Sequence, residues 1–216
     1  MFDTVLIAGL GLMGGSMAKT IKARTLSRVL GWNRTRATAE QALADGSIDA
    51  IATEALYKEA DLVIIGLYPQ ATVDWLLENM PKMKKGCVIV DMVGVKQFMV
   101  DHLEQAALDA GVHYVGGHPM AGREFSGLDF ALPTLFDGAS MIFVPTKSST
   151  ERVLEQLEAY FMSLGFGQTV RCTAQQHDHM IAFTSQLAHV VSSAYIKAQR
   201  LLGGQLQGSD ACCQAE

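Results

Sequence analysis

The segment 116–127 carries the densest set of reactive side chains in the sequence and reads Gly-Gly-His-Pro-Met-Ala-Gly-Arg-Glu-Phe-Ser-Gly. His118 follows an apolar run and stands between two glycines and a proline, so its backbone position is fixed. An imidazole, with a pKa of about 6.5, can accept a proton from a substrate hydroxyl while a hydride leaves the same carbon. We therefore predict that His118 is a general base. The alternative is a histidine that is hydrogen-bonded for structural reasons.

Acidic and polar residues further along the chain are candidates for the same site. Glu124 could orient a neighbouring side chain or form an ion pair, although an isolated glutamate is more often solvated. Near the C-terminus, a polar stripe at helical spacing indicates a helix face that lines a cavity. The stripe consists of Asp178, Ala182, Ser185, His189 and Ser192. His177 and His179 could instead be surface residues near the start of this helix, and for His179 we favour that interpretation.

The cysteines indicate neither a disulfide framework nor a metal centre. Four are present, scattered and with two adjacent: Cys87, Cys172, Cys212 and Cys213. This arrangement is typical of a reducing cytosol. A zinc site that combined them with His177 and His179 would follow no standard ligand spacing, so we predict no metal site.

A glycine pattern near the N-terminus predicts a dinucleotide site. The pattern G-x-G-x-x-G lies between an apolar run at 5–8 and a helical pattern. Its first glycine would allow a tight turn, the second would let the backbone approach a pyrophosphate, and the third would let strand and helix pack closely. The alternative is an ordinary structural turn. The predicted cofactor-binding residues of this turn are Gly9, Gly11, Leu12, Met13 and Gly14.

The end of the second predicted strand indicates which dinucleotide is bound. NAD sites usually have an acidic residue about 20 positions after the glycines that holds the ribose hydroxyls. This sequence has Asn33, Arg34 and Thr35 there instead. Arg34 could pair with a 2′-phosphate, to which Asn33 and Thr35 could donate hydrogen bonds. We predict NADP rather than NAD; in the alternative, Arg34 and Arg36 are solvated loop charges.

Composition and charge exclude several classes of protein. Of 216 residues, 49% are hydrophobic and 18% are charged, so the chain can bury a sizeable core. The net charge of −5 and the lack of a basic block argue against nucleic acid as a partner. No run approaches the roughly 18 apolar residues of a membrane span, and no signal peptide precedes the first strand. We expect a cytoplasmic protein that binds no membrane.

Alternating strand and helix patterns predict an α/β fold of the Rossmann type with a doubly wound, mostly parallel sheet. We place a dinucleotide-binding domain at 1–172 and the start of an all-helical dimerisation domain at 173–216. Strands are predicted at 4–8, 28–32, 51–53, 60–69, 86–91, 114–119, 141–145 and 168–172. Helices are predicted at 14–24, 38–45, 71–80, 97–110, 150–164 and 175–202.

Four segments of the sequence resemble the prephenate and arogenate dehydrogenases of tyrosine biosynthesis. They are G-L-G-L-M-G-G-S (9–16), V-D-M-V-G-V-K (90–96), the segment 116–127 described above, and H-D with T-S-Q-L-A-H (177–189). The segments stand in the family's order. The element H-P-M-A-G-x-E-x-S-G is quite specific to this family.

The resemblance implies the oxidative decarboxylation of prephenate or arogenate. In that reaction a hydride passes from ring C4 to the nicotinamide, the C4 hydroxyl becomes a carbonyl, and CO2 leaves. His118 then matches the family's catalytic histidine, and His189 matches its helix histidine near the substrate. Glu124 and Asp178 match carboxylates of the family's active-site ionic network. The family dimerises through its helical domain, which implies a homodimer through the C-terminal helix.

The sequence departs from the family at two places. The family usually has a serine in the element D-x-x-S-V-K that assists the catalytic histidine, and this sequence has Gly94 there. Family members also continue through a further helical stretch with an arginine that binds a substrate carboxylate. By this comparison the sequence is shortened at its C-terminus.

Two other functions remain open at this stage. A β-hydroxyacid dehydrogenase or an imine reductase has the same fold, and Asn33-Arg34-Thr35 would suit either, although His118-Pro-Met-Ala-Gly would not be expected. A shortened, non-catalytic dimer that binds nucleotide would be consistent with Gly94.

Overall fold

Eight strands form a single sheet in the computed structural model, which describes residues 2–186 and 190–197, the side chains of 185 and 186 excepted. The strands are β1 (Thr4–Ala8), β2 (Arg28–Trp32), β3 (Ala50–Ile51), β4 (Leu62–Ile65), β5 (Val88–Asp91), β6 (His113–Pro119), β7 (Ser140–Pro145) and β8 (Gln168–Arg171). Their order across the sheet is β3-β2-β1-β4-β5-β6-β7-β8.

Helices connect most of these strands. They are α1 (Leu12–Arg24), α2 (Arg36–Ala44), α3 (Glu54–Tyr57), α4 (Pro69–Asn79), α5 (Gln97–Ala110), α6 (Glu151–Ser163) and α7 (Ala174–Ile181). β2 and β3 lie on one side of β1, and β4 to β8 follow on the other side. The switch point of the strand order therefore lies between β1 and β4. An open α/β sheet binds its ligands at such a point, outside the carboxyl ends of the strands.

The sheet is parallel except at one pair, which confirms the predicted Rossmann-type α/β class. β6 and β7 are antiparallel, with His118 opposite Ile142. The connection 120–139 contains only a short 3-10 turn at Leu128–Phe130, whereas α6 lies between the parallel strands β7 and β8. A return without a crossover helix reverses the strand direction, which explains the single antiparallel pair.

Two hydrophobic clusters cover the two faces of the sheet. Val5 and Ile7 belong to one cluster, and the alternate residues Leu6 and Ala8 belong to the other. This alternation is the pleat of a strand that is buried on both sides. Helices α1, α2 and α6 contribute to the first cluster and α4 and α5 to the second, so the strand ends are held between two rigid layers.

The glycine pattern forms a tight turn between β1 and α1. Gly9 has a φ of 94°, a conformation that side chains rarely adopt. A Cβ on Gly14 would lie 1.8 Å from the carbonyl oxygen of Gly9. The positive φ of Gly9 and the close approach at Gly14 explain why the turn needs glycine. Helix α1 begins at Leu12, two residues before the predicted start.

The C-terminal helix is less regular than the sequence predicts. α7 is followed by a π-helical stretch, Ala182–Gln186, and residues 190–197 are again α-helical. The predicted helix therefore changes its hydrogen-bond spacing within the described part, and its expected end at 198–202 lies outside it. The chain divides into two compact units, Met1–His177 and Asp178–Glu216. The domain boundary at 172/173 stays a prediction. None of the helices described is long and apolar enough to cross a membrane.

Candidate active site

The glycine turn leaves an open approach to the start of α1. A Cβ built on Gly11 would meet no atom within 4 Å, so packing within the protein does not require glycine at this position. Gly11 is the N-cap of α1 and provides no side-chain cap, so the first turn of the helix presents backbone N–H groups without a side chain in front of them. Such a helix N-terminus attracts anions such as a pyrophosphate.

Two cavities meet at this turn. A cavity of about 300 Å³ lies between the turn and the loop 125–127. A second cavity of about 440 Å³ lies between the end of β2 and α4. Both are lined by Gly11, Gly66, Leu67 and Tyr68. Their arrangement on either side of the turn suits the two halves of a dinucleotide whose pyrophosphate lies at Gly11.

The larger cavity, between β2 and α4, has aromatic walls. The rings of Trp32 and Trp75 lie 5.5 Å apart and both line the cavity. Trp75 is 6% exposed, and its Nε1 is buried without a hydrogen-bond partner among the described residues, so it is not accessible from the cavity. The two aromatic side chains suit the flat, apolar surface of a heteroaromatic base.

The three residues predicted to select the cofactor differ in their contacts. Asn33 accepts a hydrogen bond through Oδ1 from the backbone N–H of Leu10 at 3.0 Å and donates through Nδ2 to the carbonyl of Thr35 at 3.0 Å. It therefore ties the glycine turn to the end of β2. Arg34 is exposed on the cavity wall and forms no ion pair with any described residue. Arg36, in contrast, pairs with Glu40 at 2.7 Å.

His118 lies at the end of β6, where its ring contacts a second histidine. Its Nδ1 is 2.8 Å from Nε2 of His177, which is fully buried. His118 itself is half-buried, and its Nε2 lies 3.8 Å from the position of a Cβ on Gly94. One ring nitrogen is thus held by His177, while the other points toward the turn that follows β5.

A buried ion pair fixes the turn that carries Gly94. Lys96 pairs with Asp91, and both side chains are fully buried. Asp91 also accepts hydrogen bonds from the backbone N–H of Val93 at 2.8 Å and from the Tyr114 hydroxyl at 2.7 Å. Burial, reinforced by the Asp91 carboxylate, raises the pKa of Tyr114 well above its usual value, so its hydroxyl remains a donor. These contacts join the turn that follows β5 to β6, the strand that carries His118.

The glycine directly before His118 is required by this close packing. A Cβ on Gly117 would lie 2.3 Å from the carbonyl oxygen of Asp91, so a side chain there would force β5 and β6 apart. A Cβ on Gly116 would lie 3.0 Å from Cδ of Lys96, which is a tight contact with a side chain rather than with the backbone.

The other predicted catalytic residues are placed differently. Glu124 lies in an exposed loop and forms no ion pair or hydrogen bond with any described residue. In the same loop, Cζ of Arg123 lies 5.1 Å from the centre of the Phe125 ring. Asp178 belongs to the second unit, and His189 lies outside the described residues. The roles of Glu124, Asp178 and His189 stay predictions.

The sequence analysis missed His177, which was considered as a possible surface residue. That interpretation is wrong, because His177 is fully buried against His118, whereas the expectation of an exposed His179 is confirmed. Ala174 lies three residues before His177, and both are buried, so they share one face of α7. In the sequence, the three-residue spacing from the small apolar Ala174 was the available signal that His177 is buried.

Comparison with known proteins gives the family. The profile of the family "Prephenate dehydrogenase, nucleotide-binding domain" matches residues 17–168. The prephenate dehydrogenase of Bacillus subtilis is 33% identical over 200 residues, which are 91% of this chain and 53% of that protein. The chain spans 52% to 65% of the length of the curated relatives that it matches.

Solved structures agree with this assignment. The arogenate dehydrogenase of Synechocystis has a TM-score of 0.81 at 28% identity, with 90% of this chain and 68% of that chain covered. The prephenate dehydrogenase of Aquifex aeolicus, solved with hydroxyphenyl propionate and NAD+, has a TM-score of 0.83 at 25% identity, with coverages of 92% and 69%. The chain belongs to the prephenate dehydrogenase nucleotide-binding domain family.

Proposed function

We propose that this protein is an NADP-dependent dehydrogenase that oxidatively decarboxylates prephenate or arogenate. The observation that carries the proposal is the His118–His177 pair, which holds a half-buried imidazole at the carboxyl edge of the sheet. The open glycine turn and the two cavities beside it fit a dinucleotide. When bound, the nicotinamide would accept the hydride from the ring carbon.

The contact between the two histidines determines which nitrogen of His118 acts. A hydrogen bond between Nδ1 of His118 and Nε2 of His177 needs one donor and one acceptor. If His118 donates, its Nε2 is unprotonated and can accept the proton of the substrate hydroxyl. His177 then remains the acceptor as His118 becomes positively charged, and a hydrogen bond to a charged group is stronger than one to a neutral group.

The remaining residues position this imidazole. The buried Asp91–Lys96 pair and the Tyr114 hydroxyl hold the β5 turn against β6, and the turn lies beside Nε2 of His118. Gly94 leaves space on that side. A fixed base at the correct distance from the hydroxyl lowers the barrier mainly through orientation.

NADP is the preferred cofactor in this proposal. Arg34 projects at the wall of the larger cavity without an ion-pair partner among the described residues, so its guanidinium is available for a 2′-phosphate. The end of β2 carries no carboxylate that would repel this phosphate.

A second copy of this chain is the proposed partner. In the second unit, Phe183, Val190, Val191, Tyr195 and Ile196 are each more than half exposed. Apolar side chains concentrated in this way are typical of an interface. Light scattering at micromolar concentration should give the mass of a homodimer, and a monomer would contradict this part of the proposal.

Turnover with defined substrates tests the function. The protein is incubated with prephenate or arogenate and with NADP or NAD, and the reduced nicotinamide is followed by absorbance. We expect turnover with at least one of the two ring substrates, and faster turnover with NADP. Tight nucleotide binding without turnover of either substrate would refute the enzyme and support a non-catalytic nucleotide-binding protein.

A further inference from the structure

We propose that Tyr68 is a cofactor-binding residue whose ring packs onto the dinucleotide where the two cavities meet. The inference rests on the proposed function, because it requires a dinucleotide in these cavities. Tyr68 is one of the four residues that line both cavities, and it has the only polar side chain among them. It therefore lies beside a molecule that spans from one cavity to the other.

Tyr68 is unusually exposed for a tyrosine at a cavity wall. It is 86% exposed, and its hydroxyl makes no hydrogen bond to any described residue. Tyr57, Tyr114 and Tyr160 are at most 4% exposed. A large aromatic side chain at a concave site, with a hydroxyl available for a hydrogen bond, is typical of a ligand-binding residue.

The backbone of Tyr68 is held in place, and its side chain is exposed. Tyr68 is the N-cap of α4 with φ −68° and ψ 157°, and Pro69 fixes the first position of the helix. Two residues earlier, a Cβ on Gly66 would lie 3.1 Å from both the backbone nitrogen of Gly14 and the carbonyl oxygen of Gly9. The β4–α4 connection is thus packed on the glycine turn, which places the Tyr68 side chain at the junction of the two cavities.

The chemistry of tyrosine suits the middle of a dinucleotide. The ring can cover a ribose or the nicotinamide and exclude water from it, and the hydroxyl can donate a hydrogen bond to a phosphate oxygen. A leucine or valine at this position could provide only the first of these interactions. The β4–α4 connection would then hold the dinucleotide from the side opposite α1.

Binding measurements on two variants separate the ring from the hydroxyl. The chain has two tryptophans, Trp32 and Trp75, and both line the larger cavity, so tryptophan fluorescence reports NADP binding. We expect Tyr68→Ala to raise the NADP dissociation constant about tenfold or more, and Tyr68→Phe to raise it by a smaller factor, on the order of fivefold. Leu26→Ala is the control, because Leu26 is fully exposed and lines neither cavity.

Chemical protection gives an independent test with an internal control. Of the five tyrosines in the chain, Tyr68 is the most exposed, at 86%, whereas Tyr195 belongs to the surface proposed for the dimer. Tetranitromethane should nitrate Tyr68, and saturating NADP should slow this nitration. The buried Tyr57, Tyr114 and Tyr160 should stay unreacted with or without NADP, which shows that the fold is intact. Peptide mapping by mass spectrometry reads out each residue in the same sample.

The outcomes distinguish this inference from the proposed function. If the wild-type protein bound no dinucleotide, the proposed function and the role of Tyr68 would fail together. If it bound NADP but Tyr68→Ala bound equally tightly, or if bound NADP left nitration of Tyr68 unchanged, only the role of Tyr68 would be refuted. Circular dichroism confirms that the variants fold.

Discussion

Replacing His177 by methionine should slow turnover without weakening the binding of nucleotide. Nε2 of His177 lies 2.8 Å from Nδ1 of His118, and His177 is fully buried, so water cannot take its place easily. Methionine is similar in size, but its thioether sulfur is only a weak acceptor for this hydrogen bond. A hydrogen bond to a charged group contributes about 1.5–3 kcal/mol, which corresponds to a factor of about 10 to 150 in rate.

His177→Gln is the matched control for this loss. The glutamine amide can place an oxygen close to the position of Nε2 and accept the same hydrogen bond from His118. We expect its kcat to stay within about threefold of the wild-type value, because a neutral acceptor is retained. The NADP dissociation constant, measured by tryptophan fluorescence, should be unchanged in both variants.

The pH profile separates a positioning role from a general loss of structure. Without an acceptor for Nδ1–H, the protonated form of His118 is less stable, so its pKa falls. The acid limb of kcat/KM should therefore move to lower pH in His177→Met and remain in place in His177→Gln. If His177→Met kept the wild-type kcat and pH profile while folded, the proposed role of the pair would be wrong.

Three further changes test other parts of the account. Gly94→Ser should raise kcat about fivefold, because its hydroxyl comes within hydrogen-bonding range of the His118 imidazole, whereas Gly94→Ala fills the same space without this gain. Arg34→Ala should weaken NADP binding about tenfold and leave NAD nearly unaffected, and Arg36→Ala, whose guanidinium already pairs with a glutamate, should change neither. The pKa of Glu158 is lowered by hydrogen bonds from its arginine partner on β8, so Glu158→Gln should lower Tm by about 2–4 °C at pH 7. The difference in Tm should shrink as the pH falls through the lowered pKa of Glu158, because the wild-type carboxyl is then also protonated. The control is Glu155→Gln, at an exposed position on the same helix, which should change neither Tm nor its pH dependence.

Local patterns in the sequence predicted most of the parallel sheet. Short runs of buried aliphatic residues, each followed by a turn and an amphipathic helix, determine β1, β4 and β5, because both faces of these strands are covered. The glycine turn was predictable for a steric reason, since Gly14 packs directly against Gly9. The antiparallel pairing of β7 was not predicted, because it depends on the path of the connection 120–139 rather than on residues within the strand.

The candidate site was predicted less completely than the fold. His118 was proposed from its immediate neighbours, and its role stays a prediction. Its partner His177 is 59 residues away, and only the packing of α7 brings the two rings together. The expected contact of Asn33 with a phosphate stays a prediction, and the hydrogen bonds of its amide to Leu10 and Thr35 were not expected from the sequence. In both cases the decisive contact is tertiary and leaves little trace in local spacing.

The central claim is that His118 accepts the substrate proton while a dinucleotide is bound beside it. The most direct measurement compares wild-type protein with His118→Asn in a single turnover with NADP and either ring substrate, after both proteins are shown to bind NADP equally. We expect reduced nicotinamide to form in the wild type, and the rate of its formation to fall by at least about a hundredfold in His118→Asn. Equal rates in the two proteins would contradict it.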